Sequence, residues 1–314
     1  MSGRDGDVEL VEYDEFGMFQ DNAEEVGLPY DGPPTVARKT IEIRPGYSLS
    51  ALVWGTKPPE LVLLHGGAQN AHTWDTVALA LDRPLVAIDL PGHGHSDGRL
   101  DVGISPPEYA ADVAVAVRQL APDARAVVGM SLGGLTALAL TAQAPELVRK
   151  LVLVDVTPGV NREKGSQIAA FVNGPASFPS FDEILARTIE FNPTRSESSL
   201  RRGILHNAVQ QPDGSWVWRY RRWRVPEPED GAGTDQVVAA HPDFGHLWDA
   251  VDAVRVPLML VRGADSPVVD DEDVAELRRR QPGVRVEVVE LAGHSIQGDQ
   301  PLELTRLLQD FVGA

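Results

Sequence analysis

The stretch Ala126-Val127-Val128-Gly129-Met130-Ser131-Leu132-Gly133-Gly134 constrains this chain more than any other. An apolar run enters a glycine, turns at a serine and leaves through two more glycines into an alanine- and leucine-rich segment, residues 135–144. Read physically, this is a short buried strand, a sharp turn and a helix, with the G-x-S-x-G spacing that holds a serine hydroxyl above a sheet. Side chains at 129 and 133 would collide with each other or with the neighbouring strand as the turn closes. The helix begins just after the serine, so its unpaired N–H groups and positive dipole end face any negative charge that forms there.

Such a strand needs neighbours, and the pattern supplies them. Residues 40–44 and 49–54, joined by Pro45-Gly46, alternate in polarity as antiparallel strands do. The apolar runs at 60–64 and 85–89 have the pattern of strands buried on both faces, and further strands fall at 150–155, 257–263 and 284–289. Helical segments at 74–81, 107–120, 272–280 and 302–312 alternate with them, as a mostly parallel sheet requires.

Two segments break the rhythm. Residues 1–35 hold a cluster of acidic residues from Asp5 to Asp31 and end at Gly32-Pro33-Pro34, which predicts a solvated, extended or partly disordered arm. The alternative is that Tyr13, Phe16, Phe19 and Tyr30 dock the arm across the domain or onto a second subunit. Between Thr157 and about His246 lie clustered aromatics (Phe171, Phe178, Phe181, Phe191, Trp216, Trp218, Tyr220, Trp223), a basic run at 219–224 and a Pro/Glu/Gly loop at 226–233. This reads as an inserted, largely helical cap. The basic run reads as a solvated face and not as an anion site, because acidic residues lie close on both sides. The expected organisation is an acidic arm (1–35), a core in two parts (36–157 and 246–314) and a cap (158–245).

Composition narrows the function classes. With no cysteine among 314 residues, disulfides, thiolate metal sites and cysteine nucleophiles are excluded. A net charge of −18 argues against nucleic acid and anionic membranes, and small neutral or weakly charged substrates fit better. No apolar run approaches the length needed to span a bilayer, and the first residues lack the basic start and apolar core of a signal peptide, so a cytoplasmic protein is expected. There is no GxxxxGK[ST], no HExxH and no cysteine–histidine metal spacing, and neither cofactor nor metal is expected.

Four motifs follow in order: HGGA at 65–68, DLPGHGHS at 89–96, GMSLGG at 129–134 and AGHSIQGDQP at 292–301. Each falls just beyond the C-terminal end of a strand, where ligands bind in open α/β sheets. Together they resemble the α/β-hydrolase fold family, in the branch with a cap inserted after the sixth strand, over roughly residues 38–314 apart from the cap. The resemblance implies a mostly parallel eight-stranded sheet flanked by helices, with Ser131 as nucleophile and His294 as its base. It also implies an oxyanion hole from the N–H groups of Leu132 and Gly67, with Ala68 next in line. His65, His93 and His95 belong to structural turns; His72, His206, His241 and His246 match no catalytic position.

The acid is less direct. In the commoner family pattern the seventh strand ends G-x-x-D-P-V-V, whereas this chain reads Gly263-Ala264-Asp265-Ser266-Pro267-Val268-Val269. The alignment puts Ser266 at the acid's place and Asp265 one residue early, which turns its side chain to the other side of the segment. Some relatives carry the acid at the end of the sixth strand in V-x-D-x-x-P, and Val154-Asp155-Val156-Thr157-Pro158 sits in that setting. Asp155 is therefore the expected acid, with Ser266 in support and Asp265 as the alternative.

The leading reading is a serine hydrolase that cleaves a carboxylic ester or related acyl bond of a small substrate through an acyl-enzyme on Ser131. The cap's aromatics suggest an apolar acyl or alcohol group. A carbon–carbon bond hydrolase of dienone-type ring-cleavage products shares the same triad, and a catalytically silent ligand receptor on the same fold is the alternative from another class. A serine at 131 disfavours relatives that attack through an aspartyl ester. Oligomeric state is left open.

Overall fold

β-branched and leucine-rich runs between glycine- and proline-bearing turns assemble into one large sheet in the computed structural model, which describes residues 10–99, 103–221 and 243–313. The chain runs α1 (Phe19–Glu25), β1 (Val36–Arg44), β2 (Tyr47–Trp54), β3 (Leu61–Leu64), α2 (Asp75–Leu81), β4 (Leu85–Asp89), α3 (Pro106–Leu120), β5 (Ala126–Met130), α4 (Leu132–Gln143) and β6 (Leu151–Val154). An insertion follows: α5 (Ser166–Val172), β7 (Ser177–Phe178), α6 (Phe181–Phe191), α7 (Glu197–Asn207), β8 (Ala208–Gln210) and β9 (Trp216–Trp218). The chain returns through α8 (Trp248–Ala253), β10 (Leu258–Gly263), α9 (Asp271–Arg280), β11 (Arg285–Val289), α10 (Ile296–Asp299) and α11 (Pro301–Val312).

The eight-stranded sheet has the order β1-β2-β4-β3-β5-β6-β10-β11, with β2 antiparallel to both its neighbours and the pairs from β4 to β11 parallel. Successive side chains point to opposite faces, so each central strand feeds two cores. In β3, Val62 and Leu64 pack with α3, α4, α8 and α9, while Leu61 and Leu63 pack with α1, α2 and α11. This two-sided burial is why the central strands read as unbroken apolar runs. The parallel register brings the C-terminal ends of β3, β4, β5, β6, β10 and β11 to one edge, where the loops carrying the four motifs meet.

The arm departs from the solvated reading. Over residues 10–35 it carries α1, with Phe19 only 1% exposed and packed on Trp54 at 5.0 Å between ring centroids. Phe16 stacks on Phe19, and Tyr13 hydroxyl meets His206 Nδ1 at 2.8 Å. Two of its acidic residues pair with the body, Glu15 with Arg38 and Glu25 with Arg202 of the insertion, while Glu12, Asp14, Asp21, Glu24 and Asp31 are exposed. Few aromatics were needed, because each fills a site on an already apolar surface.

In the insertion, three helices are joined by a small sheet of order β7-β9-β8 that periodicity does not reveal, since its strands are two or three residues long. Of the basic run, Arg219 lies over the Tyr13 ring at 5.9 Å and Arg221 is exposed. Residues 222–224, the loop at 226–233 and His241 lie outside the described residues, as do residues 1–9. No helix among the described residues is long and apolar enough to cross a membrane.

Candidate active site

β5 ends at Met130 and α4 starts at Leu132, so Ser131 makes the whole turn alone, at φ 51° and ψ −120°. That region disfavours any residue with a side chain, and its cost is carried by the surrounding packing. Ser131 N–H donates to Val154 carbonyl at 3.0 Å, and its own carbonyl accepts the N–H of Gly134 and Leu135. A Cβ at Gly129 would strike Gly133 carbonyl, and one at Gly133 would strike Leu64 carbonyl, which is why the motif needs glycine there.

His294 lies in the loop after β11. Asp299, in α10, accepts Gly293 N–H at 2.9 Å and so ties that loop down one residue before the histidine. His294 Nε2 is 3.0 Å from Ser131 Oγ, and His294 Nδ1 is 2.7 Å from Asp155 Oδ2. An ionised carboxylate only accepts, so Nδ1 carries the proton and the Nε2 lone pair faces the serine hydroxyl.

Asp155 follows β6 directly, fully buried, with φ at 51°. Its Oδ1 accepts Gly263 N–H at 2.9 Å, and its Oδ2 also accepts the hydroxyl proton of Ser266. Ser266 Oγ in turn accepts Val268 N–H at 3.2 Å. Asp265 is exposed and joins the site only through its backbone N–H, which donates to Ala292 carbonyl. The structure therefore brings together Ser131, His294, Asp155 and Ser266, and leaves the Asp265 carboxylate outside.

Gly67 and Leu132 line a small cavity of about 20 Å³ together with Ser131 and Ile168 of α5. Leu132 N–H is the first of α4 and has no acceptor within the helix. Ala68 turns the chain at φ 60°, and its carbonyl is held by Asn207 Nδ2 at 2.6 Å. His65 lies beneath, with Nδ1 donating to Gly66 carbonyl at 2.7 Å and Nε2 accepting Leu90 N–H at 2.9 Å, and burial lowers its pKa. In the DLPGHGHS turn, buried Asp89 accepts the N–H groups of Ala71 and His95 and pairs with Arg38, bracing loops from three parts of the chain.

A second cavity, about 330 Å³, adjoins this centre: Ala68 and Ser295, the chain neighbours of Gly67 and His294, are in its wall. The insertion's aromatics divide between two places. Phe178, Phe181 and Trp216 pack with Ile184, Leu200 and Ile204 as the insertion's own core, while Phe171 and Trp218 reach the cavity. The rest of its wall is largely polar, with Gln69, Asn70, Thr188, Arg195 and Gln297 among the residues there. The sequence reading singled out none of these five. For Gln297 the signal lay inside AGHSIQGDQP, a motif read only for its histidine.

Among the described residues, His72, Asp75 and His206 bring three metal-capable atoms together. The two imidazoles are stacked face to face, 3.8 Å between centroids and 9° from parallel. A metal ion lies in the plane of each imidazole it binds, and parallel stacked planes do not meet at one ion. The cluster ties the arm to the body instead: His72 Nε2 lies 3.1 Å from Glu15 of the arm and its Nδ1 2.8 Å from Asp75. Burial opposes a charge on His72, but Asp75 and Glu15 outweigh it and raise its pKa to about 9, while burial and the facing His72 charge keep His206 neutral.

The model of the alpha/beta hydrolase fold matches residues 59–301. Esterase Rv0045c of Mycobacterium tuberculosis is 45% identical over 311 residues, which cover 96% of this chain and 97% of that protein. A 3-hydroxybutyrate-oligomer hydrolase of Cupriavidus necator is 31% identical, covering 83% of this chain and 92% of its own. The crystal structure of the mycobacterial esterase superposes with a TM-score of 0.82 at 44% identity, covering 97% of this chain and 99% of the other.

Proposed function

The chain belongs to the α/β-hydrolase fold family, and from that membership we propose that it hydrolyses carboxylic esters of small molecules through an acyl-enzyme on Ser131. The observation that carries this is the continuous hydrogen-bonded path from Asp155 through His294 to the hydroxyl of Ser131. Ser131 Oγ attacks the ester carbonyl carbon as His294 Nε2 takes its proton. The former carbonyl oxygen becomes negative and is held by the N–H groups of Leu132 and Gly67, each such donor contributing on the order of 3 kcal/mol. The intermediate collapses, the C–O bond to the alcohol breaks, and the alcohol leaves with the proton from His294. Water, activated by the same nitrogen, then releases the acid. Asp155 fixes the tautomer of His294, and Ser266 and Gly263 hold Asp155 in place.

We further read the segment at 158–245 as a cap over this centre, because Ile168, Phe171 and Trp218 from it line the two cavities. The test is hydrolysis of p-nitrophenyl esters by wild type, Ser131→Ala, Asp155→Asn and Asp265→Asn, read as kcat/KM. Ser131→Ala abolishes turnover and labelling by a fluorophosphonate. Asp155→Asn lowers kcat/KM by about 10⁴-fold, the scale of losing the acid of such a triad, and Asp265→Asn stays near wild type. A deep loss in Asp265→Asn with Asp155→Asn intact would overturn the assignment.

A further inference from the structure

Two arginines of the insertion border the larger cavity, and their surroundings differ. Arg202, on α7, is fully engaged: its guanidinium donates to Asn22 Oδ1 at 2.7 Å and to Ser198 Oγ at 2.6 Å, and it pairs with Glu25. Arg195, in the turn before α7, forms no ion pair among the described residues. Its one side-chain hydrogen bond goes from Nη2 to Ser199 Oγ, and its Nε–H is shut off from solvent without a partner. Burial pulls its pKa below the ordinary guanidinium value, against the opposing fields of Asp299 and Glu25. Glu25 pairs with Arg202 and accepts from Ser196, and Asp299 accepts Gly293 N–H and the Thr194 hydroxyl; neither carboxylate comes within ion-pair distance of Arg195.

The guanidinium lies flat on the backbone of Gly298, where a Cβ would come within 2.9 Å of Arg195 Cζ. Gly298 lies in α10, four residues after His294, and lines the larger cavity together with Ser295, the chain neighbour of His294. An arginine held in a cavity with donors unspent costs stability, and a planar anion is the group that matches its fork. The carboxylates of Glu25 and Asp299 nearby, and the chain's net charge of −18, favour a monoanion over a doubly charged phosphate.

Resting on the hydrolase reading above, we propose that the substrate is an ester carrying a free carboxylate at the end remote from the scissile bond, and that Arg195 binds that carboxylate. Arg195 is thus a specificity residue: it sets which ester is accepted and takes no part in bond making.

The experiment compares p-nitrophenyl hydrogen adipate with its uncharged counterpart p-nitrophenyl hexanoate in wild type, Arg195→Gln, Arg195→Lys and Arg201→Gln, alongside calorimetric titration of monomethyl adipate, a monoanion, into Ser131→Ala with and without Arg195→Gln. Wild type prefers the charged ester by about tenfold or more in kcat/KM, the scale of one charge-assisted hydrogen-bonded pair. Arg195→Gln loses that preference and Arg195→Lys keeps part of it. Arg201→Gln, an exposed change of the same charge on α7, leaves the ratio as in wild type. Monomethyl adipate binds Ser131→Ala and binds the double variant at least about tenfold more weakly. The melting temperature of Arg195→Gln is not lowered, which separates a ligand-reading guanidinium from one that only braces α7. Ester turnover with no charge preference, or a preference that survives Arg195→Gln, overturns the proposal. No turnover of either ester with monomethyl adipate binding still dependent on Arg195 overturns the hydrolase reading and leaves the carboxylate site standing.

Discussion

In the mechanism proposed for Ser131 the backbone is part of the chemistry. A side chain held at φ 51° between two glycines has its hydroxyl fixed before any substrate arrives, so none of the binding energy goes into orienting it. Gly133 permits this by lying against the carbonyls of Leu64 and His65. Gly133→Ala is expected to cost about 1–3 kcal/mol by overpacking and to lower fluorophosphonate labelling more than it lowers the melting temperature, because the strain falls on the turn itself. Ser266→Ala removes one donor to Asp155 while Gly263 and His294 remain, so kcat/KM should fall by about tenfold at most, against the far larger loss in Asp155→Asn. The serine and histidine were legible because sterics leave so few residues able to make a G-x-S-x-G turn. The placement of the Asp155 carboxylate beside His294 and of the Asp265 carboxylate outside was legible too, through the one-residue offset that turns a side chain to the other side of its segment. Arg195 was not, since an unpaired guanidinium is a fact about the space around it and leaves no mark in local sequence.

At the scale of elements, the apolar runs announced the sheet, and the boundaries of β3, β4, β5 and β10 fall within a residue of the pattern. Helix α4 begins at Leu132, just after the serine as the turn pattern predicts, because the turn at Ser131 leads into it without a linker. The arm shows where composition misleads. Its acidic residues read as a solvated leader, yet their partners Arg38 and Arg202 lie 23 and 177 residues away, beyond any local window. Phe19 anchors α1 against Trp54 and is 1% exposed. Phe19→Ala should lower stability by about 3 kcal/mol or more and open residues 10–35 to protease, measured by urea denaturation and timed digestion.

For the whole molecule, the cluster of Glu15, His72 and Asp75 makes arm docking depend on pH. Buried His72 is raised from 6.5 to about 9 by Asp75 and Glu15, so the stability it contributes is complete below about pH 6.5 and is lost as pH rises through about 9. Burial works against the charge of Glu15, but hydrogen bonds from His72 and Arg38 lower it from 4.5 to about 2, so its share is present above about pH 4.5 and lost as pH falls through about 2. Protease resistance of residues 10–35 should therefore be greatest between about pH 4.5 and 6.5 and decline toward pH 9; in His72→Gln the alkaline decline should disappear. The same contacts bear on how such an enzyme can be recombined. Arg202 of the insertion draws Asn22 and Glu25 from the leader, and His206 draws Tyr13, so the two segments are a matched pair although the sheet and helices of residues 36–157 separate them. A chimera that receives the insertion without its leader inherits a buried arginine stripped of its counter-charge, whereas one that receives both inherits a working wall for the cavity. Segment exchange within the family thus has a natural unit here that is discontinuous in the gene.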